Sequence, residues 1–127
     1  MNIMTRDMME KNEIMKLEGR ELDAAIAEHV MGWKRVLPTH PSNGTVWALD
    51  GKVIKTQYTW KPSENIADAW RVVEKMIEDG YFVEVFAHEC CAIGIEIDDE
   101  EFAEPAYHSG KDDCENISRA ALLSVLT

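Results

Sequence analysis

The chain has 127 residues, enough for one domain whose core needs neither a disulfide nor a structural metal. Its 46% hydrophobic and 29% charged residues match a soluble globular protein, and no apolar run approaches the roughly 18 to 20 residues that cross a bilayer. A formal net charge of −11 argues against binding a nucleic-acid backbone or an anionic membrane surface, both of which call for clustered Lys and Arg; a basic protein surface or a small ligand held locally stays open.

Residues 1–16 form a polar opening that carries Met1, Met4, Met8, Met9 and Met15, and they are predicted as an arm ahead of a single domain over 17–127. Flexible thioethers there fill gaps against the body or a second copy of the chain. The opening lacks the apolar core of a signal peptide, so a cytoplasmic location is expected. Cys90, Cys91 and Cys114 make an odd count, which fits reduced thiols better than a disulfide framework.

From Gly19 the steps of Leu22, Ala25, Ile26, His29, Val30 and Trp33 predict a helix with one apolar face, while Glu21, Asp23 and Glu28 take the other side. Gly32 offers a stop, and Pro38 and Pro41 forbid continuation through a loop over 37–44. Residues 46–49 and 52–58 flank Asp50-Gly51, a dipeptide suited to a tight hairpin turn. Pro62 then ends the extended run, and Ser63 is placed to cap a second helix whose buried stripe is Ile66, Ala69, Trp70, Val73, Met76 and Ile77, with Gly80 as its stop. Two antiparallel strands are predicted over 81–87 and 91–97, at the centre of a sheet. An acidic, Gly-containing connection over 98–113 leads to a last helix, capped through Asp112 and Glu115 and buried through Ile117, Ala120, Ala121, Leu123 and Leu126. The order helix, hairpin, helix, hairpin, helix suits an α+β fold with a small, mostly antiparallel sheet covered by helices.

Three blocks carry more than periodicity: LEGRELDAAIAEHVMGWK over 17–34, ENIADAWRVVEKM over 64–76 and ISRAALLSVL over 117–126. Together they resemble the phage ABA sandwich domain, a bacteriophage and prophage family in which a sheet lies between helical layers. The resemblance spans most of the chain and implies a three-layer α/β/α sandwich. Its motifs are those of a fold and imply no reaction. The RAAL run from Arg119 to Leu122 is intact, whereas Lys61-Pro62-Ser63-Glu64-Asn65 stands where the family often has a YSTD-type turn.

Chemistry-bearing residues are sparse. His88, Cys90, Cys91, His108 and Cys114 are soft ligands, but they lack the two closely spaced pairs of a zinc site, and no motif sets a base beside a thiol. Asp98-Asp99-Glu100-Glu101 lacks the spaced ligands and glycine of a calcium loop and reads as a solvated turn. No phosphate loop, dinucleotide fingerprint or nucleophile elbow is present. Neither a metal nor another cofactor is therefore expected.

The remaining constellation is aromatic. Trp33 and Trp60, with Ser63 and Asn65 beside the free amides of a helix start and Arg119 for charge, compose a candidate ligand pocket in which an indole stacks on a base. The plainer alternative makes the tryptophans core residues and the helix ends self-capped. Phage origin, as the resemblance implies, together with small size and acidity, favours a non-enzymatic accessory protein. Its expected partner is a host protein or a small nucleotide-like ligand, including a nucleotide immune signal that it sequesters as an anti-defence protein. Two alternatives are a small hydrolase or nucleotide-processing enzyme and a structural or assembly component of the particle. Apolar surface on the Met-rich arm and the helices adds homo-oligomerisation to the expectations.

Overall fold

A computed structural model describes residues 11–36, 46–94, 106–110 and 112–126. Helices α1 (Lys11–Lys16) and α2 (Gly19–Ala25) open the chain, and α2 continues into a π segment, Ile26–Val30. Strand β1 (Lys34–Val36) pairs antiparallel with β2 (Val46–Leu49), which pairs in turn with β3 (Lys52–Thr56). Helix α3 (Ile66–Glu78) is followed by β4 (Phe82–Phe86), β5 (Cys90–Gly94) and β6 (Ala106–Ser109), and α4 (Asp113–Leu126) closes the described chain.

Local chemistry explains most of these boundaries. Asp50 and Gly51 both adopt left-handed φ angles, +52° and +80°, so the Asp-Gly dipeptide makes the predicted primed hairpin turn. Trp47 faces Lys55 and Ala48 faces Val53, which leaves Ile54 as a bulged residue. At the end of α3, Gly80 sits at φ +98° while the amide of Tyr81 donates to Met76 and its own amide donates to Ile77, the Schellman pattern that stops a helix at a glycine. Asp112 accepts from the amide of Glu115 at 3.1 Å, as expected of the α4 cap. The Glu115 carboxylate, however, lies 3.8 Å from Arg119 instead of reaching back to the cap.

Several expectations need correction. The described strands fall into two three-stranded antiparallel sheets, β1-β2-β3 and β4-β5-β6, where one sheet was expected. The segment 106–109, predicted as connection, is the third strand of the second sheet, and 34–36 is the first strand of the first. Ser63 does not cap α3; Asn65 does, its Oδ1 accepting from the amide of Asp68 at 3.1 Å. The stripe of α3 is rotated from the predicted one: Asp68, Ala69, Val72, Val73 and Met76 are buried, while Ile66, Trp70 and Ile77 are exposed. Asp23, assigned to the solvent side of α2, is buried. The predicted arm ends in α1, whose Ile14 is wholly buried; residues 1–10, the loop 37–44 and the acidic run 98–101 lie outside the described residues.

Helix α4 is the hub of the core. It packs against β5, β6, α3, the π segment, α1 and α2, and it buries Ile117, Ala120, Ala121, Leu122 and Leu123. Cys91 and Ile93, alternate residues of the middle strand β5, face the same core. No helix among the described residues is long and apolar enough to cross a membrane.

Candidate functional site

The turn between β3 and α3 is fastened to α2 by two long-range bonds. The indole nitrogen of Trp60 donates to the carbonyl of Asp23 at 3.0 Å, and the amide of Ser63 donates to the Asp23 carboxylate at 2.8 Å. Behind this clamp Trp60 meets Trp33 edge to face, ring centroids 4.6 Å apart, within the range where aromatic quadrupoles attract. Burial pushes the Asp23 carboxyl above its usual value, and the Ser63 amide opposes that shift without cancelling it.

The same clamp shapes a cleft in front of Trp60. One hollow of about 180 Å³ is lined by Arg20, Glu21, Asp23, Ala24, Arg35, Trp47, Gln57 and Trp60. A second, of about 200 Å³, shares Arg20, Asp23 and Gln57 and adds Tyr58, Lys61 and Glu64. Arg20 borders both hollows, with Arg35 on the first and Lys61 on the second, in a chain of strongly negative net charge. Arg35 is partly committed, since its guanidinium lies 5.3 Å from the Trp47 ring centroid and 3.0 Å from Glu28. Arg20 and Lys61 are exposed, and Tyr58 offers an accessible ring.

Of the five residues predicted for a ligand pocket, only Trp60 lines either hollow, and at 1% exposure it does so from the floor. Trp60 was expected to offer its indole to a ligand; its bond to Asp23 and its edge-to-face contact with Trp33 draw it inward instead. Trp33 is buried behind it. Ser63 belongs to the clamp through its backbone, and Asn65 is occupied as the α3 cap. Arg119 lies elsewhere, buried in α4 and donating to the carbonyls of Ile14 and Met15 at 3.1 Å each. Sequence reasoning missed Arg20, Asp23, Arg35 and Gln57 as a group; each is an ordinary surface type, and only the fold gathers them.

The cysteines and histidines are also separated. Among the described residues no three His, Cys, Asp or Glu side chains come together to hold a metal ion. Burial pushes the Cys91 thiol up to about 12 and raises that of Cys114, so both are poor nucleophiles at neutral pH. His88 takes a left-handed φ of +61° at the β4–β5 turn, and its amide donates to the carboxylate of Asp113 at 2.6 Å, tying that turn to the start of α4.

Comparison with known proteins returns one family model, described as the phage ABA sandwich domain, which matches residues 24–122. No curated protein and no solved structure matches the chain.

Proposed function

Since the chain belongs to the phage ABA sandwich domain family, we propose that it is a phage accessory protein that works by binding, and that the cleft in front of Trp60 holds a small anionic, nucleotide-like ligand of the host. The observation that carries this reading is the placing of Arg20, Arg35 and Lys61, with the exposed ring of Tyr58, around two hollows that share Arg20, Asp23 and Gln57, the first of them floored by Trp47 and Trp60. A phosphate needs cations that face it, and a base needs an aromatic or guanidinium plane on which to stack. Glu21, Gln57 and Glu64 add acceptors for base amino groups or ribose hydroxyls. Sequestration of a nucleotide immune signal is one role such a cleft fits.

Binding is checked by thermal shift and calorimetry against a panel of mononucleotides, cyclic mononucleotides and cyclic dinucleotides. At a hundredfold excess over Kd a ligand specific to the folded chain adds about 2.7 kcal/mol, which raises the melting midpoint by several degrees. Arg20→Glu combined with Lys61→Glu is expected to weaken that ligand at least tenfold. Recovery of the nucleotide unchanged after long incubation favours capture, whereas its conversion turns the reading toward an enzyme. If no member of the panel shifts the melt, the nucleotide reading fails.

A further inference from the structure

Asp23 lines both hollows in front of Trp60, although it is only 6% exposed. One oxygen of its carboxylate, Oδ1, accepts from the Ser63 amide at 2.8 Å. The other, Oδ2, takes no hydrogen bond among the described residues, and it is not one of the polar atoms closed off from solvent, so it opens on the hollows. Its charge is also unmatched. Arg20 stands one turn earlier on the same side of α2, yet no ion pair joins the two. Burial is the main cause that raises the pKa of Asp23; the Ser63 bond opposes it, and the charges of Glu64 and Asp68 add to the rise. A buried carboxylate with one open oxygen holds acceptor capacity that the free chain leaves unused, and burying such a group is costly without partners.

We propose that Asp23 selects the base of the nucleotide bound in this cleft and that the base is guanine, an inference that rests on the nucleotide reading above. A carboxylate presents two parallel acceptors and no donor. Among the Watson–Crick edges of the common bases, only that of guanine sets two donors side by side, N1–H and the N2 amino group, and these meet a carboxylate as a bidentate pair. Adenine and cytosine place a ring acceptor next to their amino group, and uracil flanks its one N–H with carbonyls, so each turns an acceptor toward the carboxylate and is repelled. Oδ2 supplies one acceptor, and Oδ1 keeps a second lone pair beside the Ser63 bond. Charge-assisted bonds of this kind are stronger than neutral ones, and a site built around them rejects a ligand that lacks the matching donor. The second hollow provides for the other parts of a nucleotide, with Arg20 and Lys61 for the phosphate and the exposed Tyr58 ring for stacking. The same two cations repel an ammonium group, and among the described residues no three acidic, His or Cys side chains gather to hold a metal ion there.

Calorimetry of the full chain at neutral pH with GMP, IMP, AMP, CMP and UMP, and with cyclic GMP against cyclic AMP, reads the selection directly. The guanine nucleotides are expected to bind about tenfold or more tighter than those of adenine, cytosine and uracil. IMP lacks only the N2 amino group and is expected to bind about fivefold or more weaker than GMP. Asp23→Asn exchanges one acceptor for a donor, a pattern that fits adenine, so the ratio of GMP to AMP affinity is expected to fall about tenfold or more. A merely structural role for Asp23 would weaken both nucleotides alike and leave that ratio unmoved. Circular dichroism checks the fold of the variant, and the comparison of GMP with IMP uses the parent alone, so it decides whatever the variant does. Equal affinity for every base, or IMP bound as tightly as GMP, overturns the assignment and leaves the nucleotide reading standing. A preference for another base, or a guanine preference that persists in Asp23→Asn, overturns it as well. If no nucleotide binds, both readings fall together.

Discussion

Helices α3 and α4 are of similar length, yet ten of the fourteen residues of α4 are buried, on every side of the helix, against five of the thirteen in the amphipathic α3. The central helix hides even polar groups, and two of them act as fasteners: Arg119 holds the carbonyls at the end of α1, and Asn116 donates to the carbonyl of Gly110 at 2.8 Å. The peripheral helix does the reverse and leaves isoleucines and a tryptophan outside. Apolar periodicity therefore reports which arc of a helix is able to be buried. How much of that arc is covered depends on the neighbours, which lie far away in sequence.

The largest expected contrast is between core positions of α4 and the stripe of α3. Ile117 is fully buried, and Ile117→Ala is expected to lower stability by about 2 to 5 kcal/mol in urea denaturation. A loss under about 1 kcal/mol would show that α4 is not the centre of the core.

Asp23 sharpens the comparison from a third position, the clamp between α2 and the turn before α3. Its carboxyl is raised above 3.8 in the folded state by burial, so the folded chain holds that proton more tightly than the unfolded chain does. The contribution of Asp23 to stability is accordingly complete below the unfolded value and is lost as pH rises from there through the raised value. Asp23→Asn keeps an acceptor for the Ser63 amide and removes the titration. It is expected to match or exceed the parent in melting midpoint near pH 7, with the difference closing as pH falls toward 3.8. A variant clearly less stable than the parent at neutral pH would mean that the carboxylate is favoured in place and that its surroundings are more polar than the structure shows.

The smallest expected effect is at Trp70. With half its surface in water, Trp70→Ala in dilute protein is expected to change stability by about 1 kcal/mol or less, against the 3 kcal/mol or more usual for a buried tryptophan. Guanidinium denaturation at low micromolar protein separates the two values, and a loss near that of Ile117→Ala would place Trp70 in the core after all.

Those contrasts also show what was legible in the sequence. Gly80, Asp50-Gly51 and Asp112 act through bonds to residues within a few positions, and the structure uses each as its local chemistry dictates. The three blocks that resemble the family fall on α2 with its π segment, on α3 and on α4, and they led to the right fold class. The rotation of the α3 face was not legible, because Ile66, Trp70, Val73 and Ile77 do share an apolar arc and the sequence does not say that α4 and β4 reach only its neighbour. Asp23 was misassigned for a related reason: its partners, Trp60 and Ser63, are 37 and 40 residues away. The cleft combines α2, the first sheet and the turn before α3, so no spacing along the chain announces it.

The π segment that follows α2 has a geometric effect of its own. Its amides reach one residue further back than those of an α-helix, Met31 to Ile26 at 3.0 Å, and Trp33 turns back still further to Ala27 at 2.9 Å. Such a turn is equivalent to an α-helix with one residue inserted, and everything beyond it is displaced in azimuth by about 100°. Residue count within this single turn thus acts as an angular offset: it sets the heading with which the backbone leaves α2 for β1, and with it the direction in which the Trp33 ring meets Trp60.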